Sequence, residues 1–242
     1  MFAYFLLGRI TEHMFSPDYD LEDEQTQSER ALLEDVLAQS RLMLPRSAMD
    51  LAAANHADFA HVIWLRVMMD VNTIFLYHRP SSDIHSSSLE AEPEVDTSQE
   101  ADHWQCCLAA ARSTALLIRE ASAISTDLIM NPLIAAPIFT CARILATEYV
   151  LLSPYLQNGG AEKPQGRTPL RTSLETMLLI FNRLDETFGG ILHKFRVGLL
   201  YHLGMDLATI KSVKAGGSRG LLLSCAHWPT DKDVEGVDGI PD

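Results

Sequence analysis

The feature that most constrains the fold of this chain is the spacing of its apolar residues, which recur every three or four positions. This spacing gathers apolar side chains on one face of an α-helix, whereas a half-buried strand would alternate at every second residue. Clear stripes lie within residues 50–77, 104–122 and 169–188, and weaker ones within 29–44 and 191–203. No strand-like alternation stands out. The sequence therefore predicts a single all-α domain of about six to eight helices.

Proline and glycine mark the ends of several of these helices. Pro80 prevents the helix over 50–77 from continuing and pushes Arg79 out of helical geometry. Pro169 fits the first position of the helix over 169–188, and Gly189 with Gly190 supplies its stop.

A further helix, apolar on nearly every face, precedes Leu152 and is predicted to lie at the centre of the fold. Asn131 could cap it with Pro132 in the first turn, or the helix could begin at Pro137.

The segments between the stripes are polar and predict the division of the chain. Residues 81–102 contain seven acidic residues and no Lys or Arg, which predicts a mobile acidic loop. We expect residues 1–28 to form an N-terminal helix fragment and an acidic linker, and residues 29–204 to form the helical domain. Residues 205–242 show no sustained period and are predicted to be a poorly ordered tail.

The charge and the cysteines restrict the classes of partner. A net charge of −13 argues against a nucleic-acid surface or docking to an anionic membrane. The four cysteines form no C-x-x-C pair, and the histidines show no H-x-x-x-H spacing, so the sequence predicts buried, reduced thiols and no metal site.

One short motif suggests an enzyme. Residues 216–220 read Gly-Gly-Ser-Arg-Gly and match the G-x-S-x-G nucleophile elbow, with Ser218 as nucleophile and His227 as the only histidine after it. That elbow requires a strand before the serine and an α/β sheet to hold it. The stripe pattern predicts neither, so serine hydrolysis is the less favoured alternative and we expect no enzyme activity.

A succession of segments carries a family resemblance. A helix ending in IFLYHRP at Ile74–Pro80 is followed by a polar loop, a helix with Cys106–Arg112, an apolar helix introduced by Asn131-Pro132, and an amphipathic helix over 169–188. This order resembles the fungal-specific transcription factor domain, or middle homology region, of zinc-cluster transcription factors. The similarity covers roughly Leu42 to Leu203.

The resemblance implies a regulatory domain that acts on RNA polymerase II transcription in the nucleus. Its implied partners are transcriptional co-regulators or a related transcription factor, with a small-molecule inducer between the helices. His78, Arg79 and Pro80 are the family-motif positions, expected to end a helix with Arg79 satisfying nearby carbonyls or an acid. The six-cysteine zinc cluster is absent from this sequence, so we expect no zinc, no other cofactor and no direct DNA binding.

Two further expectations follow from the resemblance to that family. Met1 falls close to where the second half of the family domain would begin, so the first half is expected to be missing. Exposed apolar surface and self-association would then result. The alternative from a different class is a helical protein-interaction scaffold.

Overall fold

The structure, a computed structural model, describes residues 2–16, 23–80, 97–152, 167–223, 228–235 and 239–240. These residues form ten α-helices and no β-strand, which confirms the all-α prediction. The helices are α1 Phe2–Met14, α2 Glu24–Met43, α3 Arg46–Met49, α4 Phe59–Tyr77, α5 Thr97–Ile124, α6 Ala135–Leu152, α7 Arg167–Phe188, α8 His193–Leu203, α9 Leu207–Ala215 and α10 Gly217–Leu223.

Helices α4, α5 and α6 form the centre of the bundle, and each of them packs against the other two. Helix α4 packs against α1, α2 and α5, and α6 packs against α5, α7, α8 and α9. The stripe predicted along α4 is buried throughout, and so is the stripe along α5. The buried members of these two stripes are Phe59, Val62, Ile63, Val67, Val71, Ile74, Phe75, Trp104, Cys107, Leu108, Ala111, Ala115 and Ile118.

The helix ends follow from local chemistry. Asp23 caps α2 by accepting a hydrogen bond from the Thr26 amide at 2.8 Å. Asn131 accepts from the Leu133 amide at 3.0 Å and opens a single 3₁₀ turn, Pro132–Ile134, which runs directly into α6. Of the two starts considered for this helix, the structure therefore has the one at Asn131. Gly189 and Gly190 end α7 with φ angles of 67° and 85°, as predicted.

Two of the predicted segments have different boundaries. Residues 97–102 of the predicted loop 81–102 are the first residues of α5, and residues 81–96 lie outside the described part of the chain. The acidic linker predicted up to residue 28 instead gives way to α2 at Glu24, because Asp23 is an N-cap. A carboxylate that caps a helix is indistinguishable by composition from one in a solvated linker.

The prediction of a poorly ordered tail over 205–242 is wrong for its first half. Asp206 caps α9 by accepting from the Ala208 and Thr209 amides at 2.9 and 3.0 Å. Helix α9 then buries Ile210 and Val213 against the bundle. Both α9 and α10 are shorter than a helix that is stable alone, so their stability comes from tertiary packing that a local pattern does not reveal.

Two stretches, His56–Tyr77 and Pro132–Leu152, are long and apolar enough to cross a membrane by length and composition alone. Most of each stretch, 72% over its most apolar 18 residues, is buried inside the bundle. That burial accounts for their apolar composition, because a central helix surrounded by other helices is apolar on every face.

Candidate functional site

The three family-motif residues lie together where α4 ends against the C-terminal helices. We call this site the α4 corner and define it as His78, Arg79, Pro80, Gly217 and Ser218. Helix α4 stops here because Pro80 has no amide hydrogen and disfavours helical geometry in Arg79. The chain leaves the helix at His78, whose amide donates the last helical bond to the Ile74 carbonyl at 2.8 Å.

His78 is buried and links α4 to α9. Its Nε2 lies 3.0 Å from the carbonyl oxygen of Lys214, and a carbonyl only accepts, so Nε2 carries the hydrogen. Burial lowers the pKa of His78 to about 4; the bond to the Lys214 carbonyl acts in the opposite direction. His78 is therefore neutral near pH 7 and serves as a hydrogen-bond donor between two helices.

Arg79 connects the α4 corner to α2 through an ion pair. Its Nη2 lies 3.1 Å from Glu34 Oε1, and the same carboxylate oxygen is 2.8 Å from Arg30 Nη2. The expectation that Arg79 would meet an acid is thus matched by a specific residue. Because Glu34 sits between two guanidinium groups, a single carboxylate connects α2 with the end of α4.

Pro80 is in close contact with Gly217, and only glycine fits at position 217. Gly217 has a φ of 61°, and a Cβ placed on it would lie 2.4 Å from the Pro80 nitrogen and 2.5 Å from the Arg79 carbonyl carbon. Beside it, the Ser218 amide donates to the His78 carbonyl at 2.7 Å. The positive φ and the absent side chain therefore allow the two backbone segments to touch.

This contact gives the glycine-rich motif at 216–220 a structural role that does not involve catalysis. The side chain of Ser218 is almost fully buried, and its hydroxyl donates to the Ile74 carbonyl at 3.2 Å. The element before Gly217 is helix α9, where a nucleophile elbow requires a strand. His227, the other residue of the hydrolase alternative, lies outside the described residues.

Trp104 extends the α4 corner to α5 and α6. Its ring lies 5.4 Å from the His78 ring, and its Nε1 donates to Glu148 Oε2 at 2.8 Å. The ammonium group of Lys214 lies 4.5 Å from the centre of the Trp104 ring, within range of a cation–π interaction. Together, these contacts connect the end of α4 with α2, α5, α6, α9 and α10.

A second polar cluster crosses the bundle around Asp70. Its Oδ1 lies 3.1 Å from Arg41 Nη2, and its Oδ2 accepts from Thr114 Oγ1 at 3.1 Å. Cys141 Sγ in turn donates to Thr114 Oγ1 at 3.5 Å. Burial raises the pKa of Asp70, and the nearby Arg41 charge partly opposes this. The cluster connects α2, α4, α5 and α6.

A third cluster surrounds His202. Thr147 Oγ1 lies 2.9 Å from His202 Nε2, and Arg143 Nε donates to His202 Nδ1 at 3.4 Å. Arg143 also donates to the Leu221 carbonyl. Burial, followed by the Arg143 charge, lowers the pKa of His202 to about 3, so the imidazole is neutral and accepts from Arg143. The cluster fastens α6 to α8 and α10.

A groove of about 340 Å³ opens between α1 and α2. We call it the α1–α2 groove. Phe2 and Phe5 of α1 line it together with Leu32 and Val36 of α2. Phe5 and Leu32 are 67% and 64% exposed. Leu32 belongs to the apolar stripe predicted within residues 29–44, and its exposure makes that prediction wrong at this position. Among the described residues, α2 packs mainly against α1 and α4, and Leu32 lies on a flank that neither of them covers.

Among the described cysteines, the prediction of buried thiols is confirmed for Cys107 and Cys141 and wrong for Cys106. Cys106 is exposed, whereas Cys107 and Cys141 are buried, and burial raises the pKa of both buried thiols. Cys225 lies outside the described residues. No group of three or more His, Cys, Asp or Glu side chains within the described residues could hold a metal ion.

Sequence reasoning identified His78, Arg79, Pro80 and Ser218 in separate motifs and did not foresee that they meet. The only available signal was that both motifs contain residues with unusual backbone requirements, Pro80 and Gly217. No protein-family model matches this chain. Comparison with curated proteins and with solved structures likewise finds no similar protein.

Proposed function

We propose that this chain is the regulatory domain of a fungal zinc-cluster-type transcription factor and that it regulates RNA polymerase II transcription in the nucleus. The order of its helices and motifs, which resembles the middle homology region, supports the proposal. The all-helical bundle also supports the proposal. Zinc belongs only to the zinc-cluster domain, which this sequence lacks, and the net charge of −13 disfavours direct contact with DNA.

The observation that carries the proposal is the position of the motif at the α4 corner. The residues that support the resemblance contact α2 through Glu34, α9 through the Lys214 carbonyl and α10 through Ser218. A regulatory domain needs such connections, because a ligand or partner at one helix acts elsewhere only through contacts that two states can rearrange. Here, a shift of α2 or of α9–α10 would act directly on the end of α4.

The proposed partners are transcriptional co-regulators or a related transcription factor, and the proposed effector is a small-molecule inducer bound between helices. Each would act by binding one arrangement of the helices better than another. The acidic surface favours partners that present basic residues, since complementary charge accelerates encounter and fixes orientation.

Fusion of residues 1–242 to a heterologous DNA-binding domain in a fungal host tests the proposal. A reporter gene carrying that domain's site should change its output, or should respond to growth conditions, relative to the DNA-binding domain alone. Nuclear localisation and resistance to proteolysis of the fusion serve as controls. A folded, nuclear fusion without any effect on the reporter would refute the regulatory function.

A second candidate function, a helical scaffold that docks other proteins outside transcription, is favoured by the exposed apolar residues of the α1–α2 groove. Affinity purification from the native host separates the two candidates. Recovery of transcription machinery supports the regulatory domain, and recovery of a stable complex without such proteins supports the scaffold.

A further inference from the structure

The α1–α2 groove has the form of a site for a third helix. Phe2 and Phe5 are three residues apart on α1, and Leu32 and Val36 are four apart on α2. These spacings each place one apolar side chain per turn along the rim. Rows at that spacing accept the ridges of another helix, whose anchors recur at three and four residues.

The groove lies on helices that the rest of the bundle holds in place. Leu6 and Ile10 of α1 are buried in the main core, and Asn72 of α4 donates from Nδ2 to the Ala3 carbonyl at 3.0 Å. Helix α1 is thus fixed from its inner side, while Phe5 faces outward. Single apolar residues scattered over a surface are common, but several exposed aromatic and aliphatic side chains next to one another on a fixed helix are typical of a protein-interaction site.

The charges on the two helices determine the chemistry of the occupant. Two exposed acids, Glu12 and Glu29, and one exposed base, Arg9, line the groove, and α2 exposes two further acids, Glu24 and Asp35, outside this lining. The base is already paired, since Arg9 Nη1 lies 3.1 Å from Glu12 Oε2. An occupant with basic residues beside its apolar anchors would find complementary charge. A second copy of this chain would bring another net charge of −13, so its electrostatic complementarity to the groove is poorer than that of a basic helix.

We propose that the α1–α2 groove binds an amphipathic helix of another protein that carries Lys or Arg beside apolar anchors. Phe2, Phe5, Leu32 and Val36 receive the anchors. Glu29, whose Oε2 lies 3.4 Å from His13 Nδ1 and whose side chain is 56% exposed, faces the basic flank. Helix α1 is 13 residues long, so the bound helix needs about three to four turns to cover the groove. This inference concerns binding by the isolated chain and does not depend on the proposed role in transcription.

The test uses two fluorescein-labelled peptides of about 18 residues with leucine anchors at helical spacing. One carries lysine beside the anchors and the other carries glutamate at the same positions. Fluorescence anisotropy with the full chain measures the dissociation constants. The lysine peptide should bind, and the glutamate peptide should bind at least about tenfold more weakly, a difference of about 1.4 kcal/mol.

Point variants localise the binding. Leu32→Gln and Phe5→Gln should each weaken binding of the lysine peptide by about tenfold or more, since each removes an apolar contact that is made only in the complex. Both side chains are largely exposed in the free chain, so the fold should tolerate the changes. Ile191→Gln, at a residue 74% exposed on the turn before α8, is the matched control and should leave binding unchanged.

Three outcomes would overturn the proposal. The first is absence of binding by the lysine peptide at concentrations up to about 100 µM, a weak affinity for a specific helix. The second is equal binding of both peptides, or an equal effect of Leu32→Gln and Ile191→Gln. The third is a dimer of the free chain in analytical ultracentrifugation that Leu32→Gln dissociates, which would assign the groove to a second copy.

Discussion

Gly217→Ala should destabilise the chain far more than a glycine-to-alanine change normally does. Gly217 combines a φ of 61° with a position where a Cβ would approach the Pro80 nitrogen to 2.4 Å and the Arg79 carbonyl carbon to 2.5 Å. Both atoms belong to the backbone and cannot rotate away. Residues 79–80 and 217–218 must therefore separate, and the 2.7 Å bond from the Ser218 amide to the His78 carbonyl is stretched or lost.

The expected cost has three parts. The left-handed backbone costs alanine about 1 kcal/mol. The lost backbone hydrogen bond costs about 1 kcal/mol, and overpacking at the contact costs about 1 to 2 kcal/mol more. The free energy of unfolding should therefore fall by about 3 to 4 kcal/mol. Urea denaturation followed by circular dichroism measures this difference.

Gly189→Ala is the matched control for this substitution. Gly189 has a φ of 67°, close to that of Gly217, and has no atom within 4 Å of an added Cβ. It should lose only the backbone cost of about 1 kcal/mol. Equal destabilisation by the two variants, within about 0.5 kcal/mol, would refute the close contact between Pro80 and Gly217.

Three other predictions concern charge. Because the pKa values of His78 and His202 are lowered to about 4 and about 3, both imidazoles are neutral in the fold but protonate below pH 6.5 in the unfolded chain. Their stabilisation is full above pH 6.5 and falls on acidification, by about 2 kcal/mol for each histidine at pH 5. Urea midpoints should thus fall between pH 7.5 and 5, and less steeply in His202→Gln; identical slopes would contradict this. Arg41→Met removes the cation beside buried Asp70 and should cost about 2 kcal/mol in the same assay. This is below the roughly 3 to 5 kcal/mol of fully buried pairs, since the Arg41 side chain is 38% exposed. The control Arg46→Met, at an 85% exposed side chain, should cost at most about 0.5 kcal/mol, and equal losses would contradict the account. Finally, short DNA duplexes should show no sequence-selective binding to the isolated chain in fluorescence anisotropy, and nanomolar selective binding would contradict the charge argument.

The interior of the bundle could be predicted from the sequence because it depends on local periodicity. The stripes along α4 and α5 are long and regular, and the residues predicted to be buried along them are buried. The stripes did not identify every buried residue, since α4 also buries Asp70 and Asn72 off its stripe. The end of α4, where Pro80 disfavours any continuation of the helix, could also be predicted, and so could the stop at the two glycines after α7.

The α4 corner could not be predicted because it depends on contacts between distant segments. His78 and Ser218 are 140 positions apart, and neither motif contains a pattern that specifies the other. The glycines of 216–220 are compatible with a nucleophile elbow and with a close contact between backbone segments. Only the position of Pro80 against Gly217 favours the second interpretation. The exposure of Leu32 was missed for a related reason, since periodicity identifies an apolar stripe and not the neighbour that covers it.

Helices α9 and α10 were missed because they are short. Nine and seven residues give too few turns for a periodic signal, and helices of this length form only against existing structure. The Asp206 cap was a local sign of α9, but one cap without a following stripe does not distinguish a helix from a turn.

The regulatory function is tested by the reporter output of the fused chain in a fungal host. Residues 1–242, joined to a heterologous DNA-binding domain, should raise or lower transcription relative to that domain alone, or make it respond to growth conditions. Output equal to that of the DNA-binding domain alone under every condition, from a fusion shown to be folded and nuclear, would contradict it.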